Sequence, residues 1–396
     1  MGCGVEAYEG VCRVLGRLCP RLVPAPLWGL SLAHLARLDP VLGEAICSGC
    51  GWVVERLYTF WFGLERGGRC SVCGGLGGVD VDEDWRYYVC GGAGLAVLSG
   101  IRLLCRRCHL AKHVGFASLV GRRREALEQL ARINGVRLDL VEKLVGEAFR
   151  VWERLSSISK WRIVVEDVEG LRGVRSEVEK LLNTMYVERL SIEKRWLVYR
   201  SNRQYYIERI AIEETLELVA KAFSGVEKDR RLASRLVSLA KNVLKEHKIL
   251  VLEHELMLAI EATISRIGSL KLEKIRDIET FLEALEGKWI VFVNENQRGK
   301  IFTHLIHRLK SRELDYLIKT PANRTKGNRE YPVTVHVPSF LALNLVAKVG
   351  NTIKHVLEEY GINKPIIFKP NILAEKPKTK TIKPYIYKIQ ATNNRG

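Results

Sequence analysis

The sequence predicts an α+β protein, and three observations carry that prediction. Two Cys-x-x-Cys pairs, Cys70/Cys73 and Cys105/Cys108, bracket a stretch whose residues alternate as on a strand. Residues 122–161 repeat apolar side chains at helical spacing, and the last hundred residues alternate strand with helix. Four segments follow: a zinc and metal domain with flanking helices over 1–170, and a mainly helical linker domain over 171–284. An α+β domain over 285–375 and a mobile basic tail over 376–396 complete the chain.

With 396 residues, 47% of them hydrophobic, the chain has material for more than one core. A net charge of +18 favours a polyanionic partner, because each phosphate neutralised releases a counterion. All ten cysteines lie before residue 109. Glu9, Arg13 and Arg17 interrupt Met1–Pro20, which therefore does not read as a secretory leader. The cysteines are accordingly expected as metal ligands or reduced thiols rather than disulfides, in a cytoplasmic protein. No apolar run approaches the ~18 residues of a membrane span. Residues 1–200 carry 24 Arg and 5 Lys, whereas 201–396 carry 13 Arg and 21 Lys. Both cations bear the same charge, so the swap points to two modules with a boundary between Val165 and Arg195.

The elements justify themselves in order. Short amphipathic helices over 1–65 are broken at Pro20, Pro24, Pro26 and Pro40. Cys47 and Cys50 form a third Cys-x-x-Cys, which either joins Cys3, Cys12, Cys19 or Cys90 in a second zinc site or stays buried as free thiols. Cys70, Cys73, Cys105 and Cys108 are spaced so that they can supply four thiolates to one tetrahedral zinc. Val79, Val81 and Glu83 alternate with Asp80, Asp82 and Asp84, as on a strand with one acidic face. The glycines of Gly74–Gly78 suit a turn after a zinc knuckle, and Gly91-Gly92-Ala93-Gly94 a hairpin loop. Neither is a phosphate loop, lacking both G-x-G-x-x-G between strand and helix and a Walker lysine. His109 and His113 lie one helical turn apart, so both imidazoles leave one face and can share an ion.

Farther along, Asp139 with Glu142 reads as a capping box, and Val141, Leu144, Val145, Ala148, Phe149 and Trp152 form one apolar stripe. That stripe is core. Residues 195–285 read as mainly helical, and the aromatic and basic run Tyr199–Tyr206 is a strand end or helix surface before it is a base-stacking platform. Strands are expected at Trp289–Val293, Tyr331–Val337 and Pro365–Lys369, and helices at Lys300–Leu309 and Leu343–Tyr360. Lys376, Lys378, Lys380 and Lys383 mark the basic tail.

The run Leu104-Cys105-Arg106-Arg107-Cys108-His109-Leu110-Ala111-Lys112-His113 resembles the end of the ββα-metal fold of the HNH endonuclease superfamily. Val23–Gly29, Trp85-Arg86-Tyr87, Leu98–Ile101, Lys112–Gly115, Ala131–Gly135 and Glu147–Trp152 resemble one prokaryotic group of that superfamily, extending the likeness over about residues 23–165. The resemblance implies a zinc-stabilised, treble-clef module that cleaves nucleic acid, DNA before RNA, with no membrane partner. It implies structural Zn²⁺ on Cys70, Cys73, Cys105 and Cys108. A catalytic Mg²⁺, Mn²⁺ or similar ion would sit on His109, His113 and Asp82. The family carries a histidine as general base where this chain has Asp82, followed by Glu83, so Asp82, Glu83 and His109 are the expected catalytic set. No asparagine lies between Gly74 and Leu104, where much of the superfamily has one. An unperturbed aspartate is a poor base near neutrality, so the alternative is a degenerate HNH fold that binds nucleic acid without cleaving it. Arg102, Arg106, Arg107, Lys112, Arg122, Arg123 and Arg124 are expected to hold the phosphate backbone. Glu286–Phe292, Tyr331–Val335 and Phe368–Asn371 are faintly similar to an uncharacterised α+β family with the fold of cap-binding translation initiation factors. Cap recognition needs two indoles, and Trp289 is the only tryptophan after Trp196.

Overall fold

The computed structural model describes residues 4–64, 68–76, 78–222, 229–267, 278–323, 330–373 and 384–391. It is a mixed α+β protein that divides into two units, Met1–Ile192 and Glu193–Gly396. Residues 171–192 therefore belong with the first unit and do not open a separate helical linker. Among the described residues no helix is long and apolar enough to cross a membrane.

The first unit begins with α1 (Glu9–Leu15), α2 (Leu32–Leu35), α3 (Pro40–Ile46) and α4 (Gly51–Leu64). Ser31 caps α2 by accepting the His34 N–H, and Asp39 caps α3 by accepting the Val41 N–H ahead of Pro40. A long hairpin follows, β1 (Val79–Cys90) and β2 (Ala93–Cys105). Its loop is Gly91-Gly92, with φ of +56° and +83°, the left-handed pair that a two-residue turn matching the strand twist demands. The register sets Asp82 opposite Arg102 and Asp80 opposite Leu104, with a shift at Asp84/Trp85. Next come α5 (Arg106–Lys112), α6 (Val114–Leu119), α7 (Arg123–Asn134) and α8 (Leu138–Ser156). Strand β3 (Trp161–Val165) pairs parallel to β2, and Gly94 lacks a side chain where the Trp161 ring closes on it. Helix α9 (Arg175–Val187) packs on β3.

The α8 stripe is core at Val141, Val145 and Ala148, with Leu144, Phe149 and Trp152 half-buried. Its expected capping box is absent. Asp139 pairs with Arg137 just ahead of it, and no side chain caps the helix. The cysteine expectation also fails in part. Cys12–Cys19 and Cys47–Cys50 are disulfides, with Cα atoms 5.1 and 5.4 Å apart, and Cys90 is disulfide-bonded as well. Those separations lie inside the range a disulfide spans, which removes these cysteines from any second zinc site. Cys3 lies outside the described residues.

The strands of the second unit follow one another in a sheet in the order β5-β8-β9-β7-β10-β11-β6. Strand β4 (Leu190–Glu193) is followed in the chain by β5 (Trp196–Arg200), α10 (Gln204–Ala222) and α11 (Asp229–Glu246). Then come β6 (Ile249–Val251), α12 (Glu253–Ile267), α13 (Ile278–Leu285), β7 (Gly287–Asn294), α14 (Glu295–Ser311), β8 (Leu317–Pro321), β9 (Glu330–Val337), α15 (Leu343–Glu359), β10 (Ile366–Pro370) and β11 (Tyr387–Ile389). Among its described residues the region 195–285 thus holds two strands besides its helices. Strand β11 lies inside the segment expected to be a mobile tail, hydrogen-bonded between β10 and β6. Lys376, Lys378, Lys380 and Lys383 lie outside the described residues. On β7, Trp289, Val291 and Val293 are buried on the face that α14 and α15 cover. Trp289 is wholly enclosed, its Nε1–H donating to the Val346 carbonyl at 3.0 Å, so it offers no free face to a base.

Candidate metal centres

Both candidate centres hang on the β1–β2 hairpin and the helix that leaves it. Ahead of β1 the chain turns tightly: the Cys70 N–H donates to Gly75 O, the Gly74 N–H donates to Cys70 O, and Gly74 has φ +70°. The Ser71 N–H and hydroxyl both donate to Leu103 O, at 2.8 and 2.6 Å, and fasten this turn to β2. Cys105 ends β2 and precedes α5, and Cys108 sits in the first turn of that helix. The four sulfurs lie within 4.8 Å of one another, with Cys73 and Cys105 Sγ 3.7 Å apart. A tetrahedron with Zn–S of about 2.3 Å has edges of about 3.8 Å, so these thiols are spaced to grip such an ion. From α7, buried Gln129 donates Nε2–H to Cys108 Sγ at 3.2 Å, an outer contact of the kind that orients a ligand. Burial opposes ionisation of Cys70, but the N–H groups of Cys105, Cys73 and Val72 outweigh it and bring the thiol down to about 6. That favours the thiolate at Cys70, whereas burial pushes the Cys108 thiol up.

The second group uses the acidic face of β1 and the exposed edge of α5. Asp82 Oδ1 lies 3.0 Å from His113 Nε2 and 3.8 Å from His109 Nε2. The two imidazoles stand perpendicular, with centroids 4.8 Å apart. Donors about 2.1 Å from an ion are separated by about 3.0 Å in an octahedron and about 3.4 Å in a tetrahedron, so the three atoms can share one ion. Two nitrogens and one carboxylate oxygen suit Mn²⁺, Fe²⁺, Ni²⁺ or Zn²⁺ better than Mg²⁺. Asp80 Oδ2 lies 3.0 Å from His109 Nδ1, so a ring donating there turns its Nε2 lone pair toward Asp82.

Asp82 is held from behind. Its side chain is 2% exposed, Lys112 Nζ donates to Oδ2, and the same ammonium donates to Glu83 O at 2.7 Å. Burial opposes ionisation of Asp82. The hydrogen bond from His113 and the Lys112 charge overcome it and set the carboxyl at about 2. Asp82 is therefore charged and a very weak base. Asp84 completes the face, accepting Arg102 Nη2 at 3.0 Å and Arg21 Nη1 at 3.1 Å.

Glu83 does not join this group. Adjacent residues on a strand face opposite ways, and its carboxylate accepts the Ala33 N–H at 3.0 Å and Trp85 Nε1–H at 2.7 Å on the other side of the sheet. Burial pushes that carboxyl up to about 7.

The expected phosphate-binding cations divide. Lys112 is buried on Asp82, and Arg102 is turned inward onto Asp84; neither is free to meet a polyanion. Arg122 pairs with Glu125 and Arg124 with Glu128, while Arg123 lies over the Phe149 ring. Arg106 and Arg107 are exposed at the start of α5. Asp80 and Gln129 are the contributors that residue spacing alone did not single out. Asp80 shares the period-2 face with Asp82, which is the signal that was present; Gln129 had none. The chain matches no protein-family model and no curated protein.

Proposed function

We propose that the first unit is an HNH-type, metal-dependent phosphodiesterase acting on nucleic acid, with DNA the favoured substrate. The convergence of Asp82 Oδ1 with the Nε2 atoms of His109 and His113, beside a four-thiol cluster that fastens the same hairpin, carries this reading. The order of the parts along the chain is the order the HNH resemblance implies: knuckle, strand with carboxylate, second knuckle, helix with two histidines. A bound divalent ion supplies Lewis-acid stabilisation of the scissile phosphate and the leaving 3′ oxygen. Asp82, His109 and His113 hold that ion, Asp80 orients His109, and Lys112 fixes the Asp82 rotamer. Exposed Arg106 and Arg107 give a passing phosphate backbone its first contacts.

One observation favours a second reading, binding without cleavage. Neither strand carboxylate is placed as a base: Asp82 is locked by Lys112, and Glu83 is engaged across the sheet. The test is to incubate the zinc-loaded protein with supercoiled plasmid and with single-stranded DNA, plus Mg²⁺, Mn²⁺ or Ni²⁺. A His109→Ala/His113→Ala control runs alongside. Metal-dependent nicking lost in the control is the expected result. Intact DNA under every condition, with salt-sensitive binding retained, refutes cleavage and leaves the binding reading.

A further inference from the structure

The face of β1 opposite Asp82 borders a cavity of about 170 Å³ that the metal centres do not use. Its walls include Trp28, Trp85, Tyr87, Ala96 and Ile163, with His34 at one side. The aromatic walls are pinned. Trp28 and Trp152 both donate Nε1–H to Val23 O, at 2.8 and 2.9 Å, and stack with planes 17° apart. Trp85 is tied to Glu83, and Tyr87 packs edge-on against Tyr8 and Trp161. Such a pocket is preformed, so a ligand need not order it.

His34 gives this apolar space one directional group. Ser31 Oγ accepts the His34 backbone N–H at 3.2 Å and lies 2.7 Å from His34 Nδ1. A Ser31 hydroxyl that donates to Nδ1 leaves the ring proton on Nε2. Burial, with the nearby Arg37 charge, keeps the imidazole below its ordinary value and hence neutral. Among the described residues no protein group accepts from Nε2, so in this tautomer His34 brings one uncommitted N–H to the cavity wall.

We propose that this cavity is a binding site for a single six-membered heteroaromatic ring with a carbonyl or ring-nitrogen acceptor, a pyrimidine base. The size sets the ring count, since an apolar cavity of about 150 Å³ holds one benzene ring. The donor sets the chemistry, because a ring that covers His34 Nε2–H with carbon strips it of water and gives nothing back. The flat indole walls supply the stacking surface. The site is independent of the phosphodiesterase reading. Its ligand is either a free pyrimidine nucleoside or an unstacked pyrimidine within a strand, and one experiment separates them.

Tryptophan fluorescence of the full-length, zinc-loaded protein is followed during titration with uridine, thymidine or adenosine. Oligothymidylate and the same oligomer with abasic sites are titrated in parallel. Uridine and thymidine should bind saturably, and adenosine at least about tenfold more weakly. The response should fall at least about tenfold in His34→Phe, which keeps a ring and removes the donor, and vanish in Ala96→Leu, which fills the floor. Each variant is checked by its zinc content and thermal midpoint. Binding of oligothymidylate alone, abolished by the abasic sites, also supports the proposal and assigns the base to a strand. No saturable response to any probe overturns it. So does equal affinity for adenosine and uridine, or wild-type binding by folded His34→Phe.

Discussion

Replacing Asp82 by Asn should destabilise the first unit by about 3 kcal/mol, and the reasoning can be checked by a double-mutant cycle with Lys112→Met. The two side chains are 2% and 3% exposed, so the pair is a buried one. Removing one partner of a buried pair costs about 3–5 kcal/mol, chiefly because the other charge stays buried. Here neither survivor is wholly abandoned. Without the Asp82 charge, Lys112 keeps the Glu83 carbonyl at 2.7 Å and Asp84 at 3.7 Å, although Arg102 and Arg21 already share Asp84. Without Lys112, Asp82 keeps His113 at 3.0 Å and Arg102 at 3.8 Å. Each single change therefore falls near the low end of the range. In the double variant no charge is stranded, so the losses should not add, and a coupling energy of about 2–3 kcal/mol is expected.

The measurement is urea unfolding with one equivalent of zinc added per chain, followed by tryptophan fluorescence. Six of the eight tryptophans precede residue 193, so the signal reports mainly the first unit. A loss of about 3 kcal/mol corresponds to a fall of roughly 6–12 °C in melting temperature for a unit of this size. Additive losses, or a coupling below about 0.5 kcal/mol, would show the pair to be solvated and refute the argument. Added Mn²⁺ gives an internal contrast: affinity should drop in Asp82→Asn, which loses a donor atom, and far less in Lys112→Met.

Three other expectations follow from single contacts. Gln129→Leu removes the donor to Cys108 Sγ and should weaken zinc binding about 10–100-fold in competition with a colorimetric chelator, with the metal still bound at excess zinc. Asp80→Ala frees the His109 ring and should weaken Mn²⁺ binding at the second centre by at least about tenfold, leaving zinc content unchanged; equal affinity would show that Asp80 does not orient the ligand. In the second unit, burial holds the His336 imidazole below its ordinary value against the pull of Glu286, 2.7 Å away, with Lys288 and Lys319 adding to the depression. The unfolded chain thus binds the extra proton more readily, so stability is lost as pH falls below the unfolded value of about 6.5. Hydrogen exchange of β7 and β9 amides, corrected for intrinsic rate, should speed up between pH 7 and 5. His336→Gln should flatten that dependence, and an unchanged slope would exclude His336 as its source.

What the sequence disclosed about the site was what local periodicity encodes. Four cysteines in two tight turns, two histidines at helical spacing and three aspartates at strand spacing all stand where those periods place them. What it hid depends on register and distance. Lys112 meets Asp82 because the two-residue glycine turn fixes the hairpin register and α5 then folds back along β1, across 30 residues of chain. Read locally, Lys112 is one more cation on a basic helix; in the fold it is among the most buried charges. The same holds for the fold at large. Strands β7 and β9, with their buried alternating faces, were legible, whereas β4, β6 and β11 are three or four residues long and take their conformation from neighbours. Tyr387-Lys388-Ile389 has a lysine-rich approach and no length to signal a strand, yet it fills a place between β10 and β6. The Cys12–Cys19 disulfide is likewise a matter of the loop that brings the two Cα atoms to 5.1 Å.

The alternation along β1 also ties the molecule's two chemical proposals together. Asp80, Asp82 and Asp84 face α5, where every carboxylate meets a histidine, lysine or arginine. Glu83, Trp85 and Tyr87 face the other way, toward α2 and the cavity. A single peptide unit separates the Asp82 carboxylate from the Glu83 carboxylate. Glu83 in turn holds both the Trp85 wall and the α2 turn that carries His34. Glu83 is thus the residue that links the Trp85 wall and the α2 turn to the strand carrying Asp82. Glu83→Gln keeps the acceptor oxygen for one of its two donors and loses the charge. It should therefore loosen the cavity wall while leaving the metal-binding atoms in place, so pyrimidine affinity should fall and Mn²⁺ affinity hold. If both fell together, the two faces of β1 would be one coupled site; if neither fell, the Glu83 contacts would be incidental to the pocket.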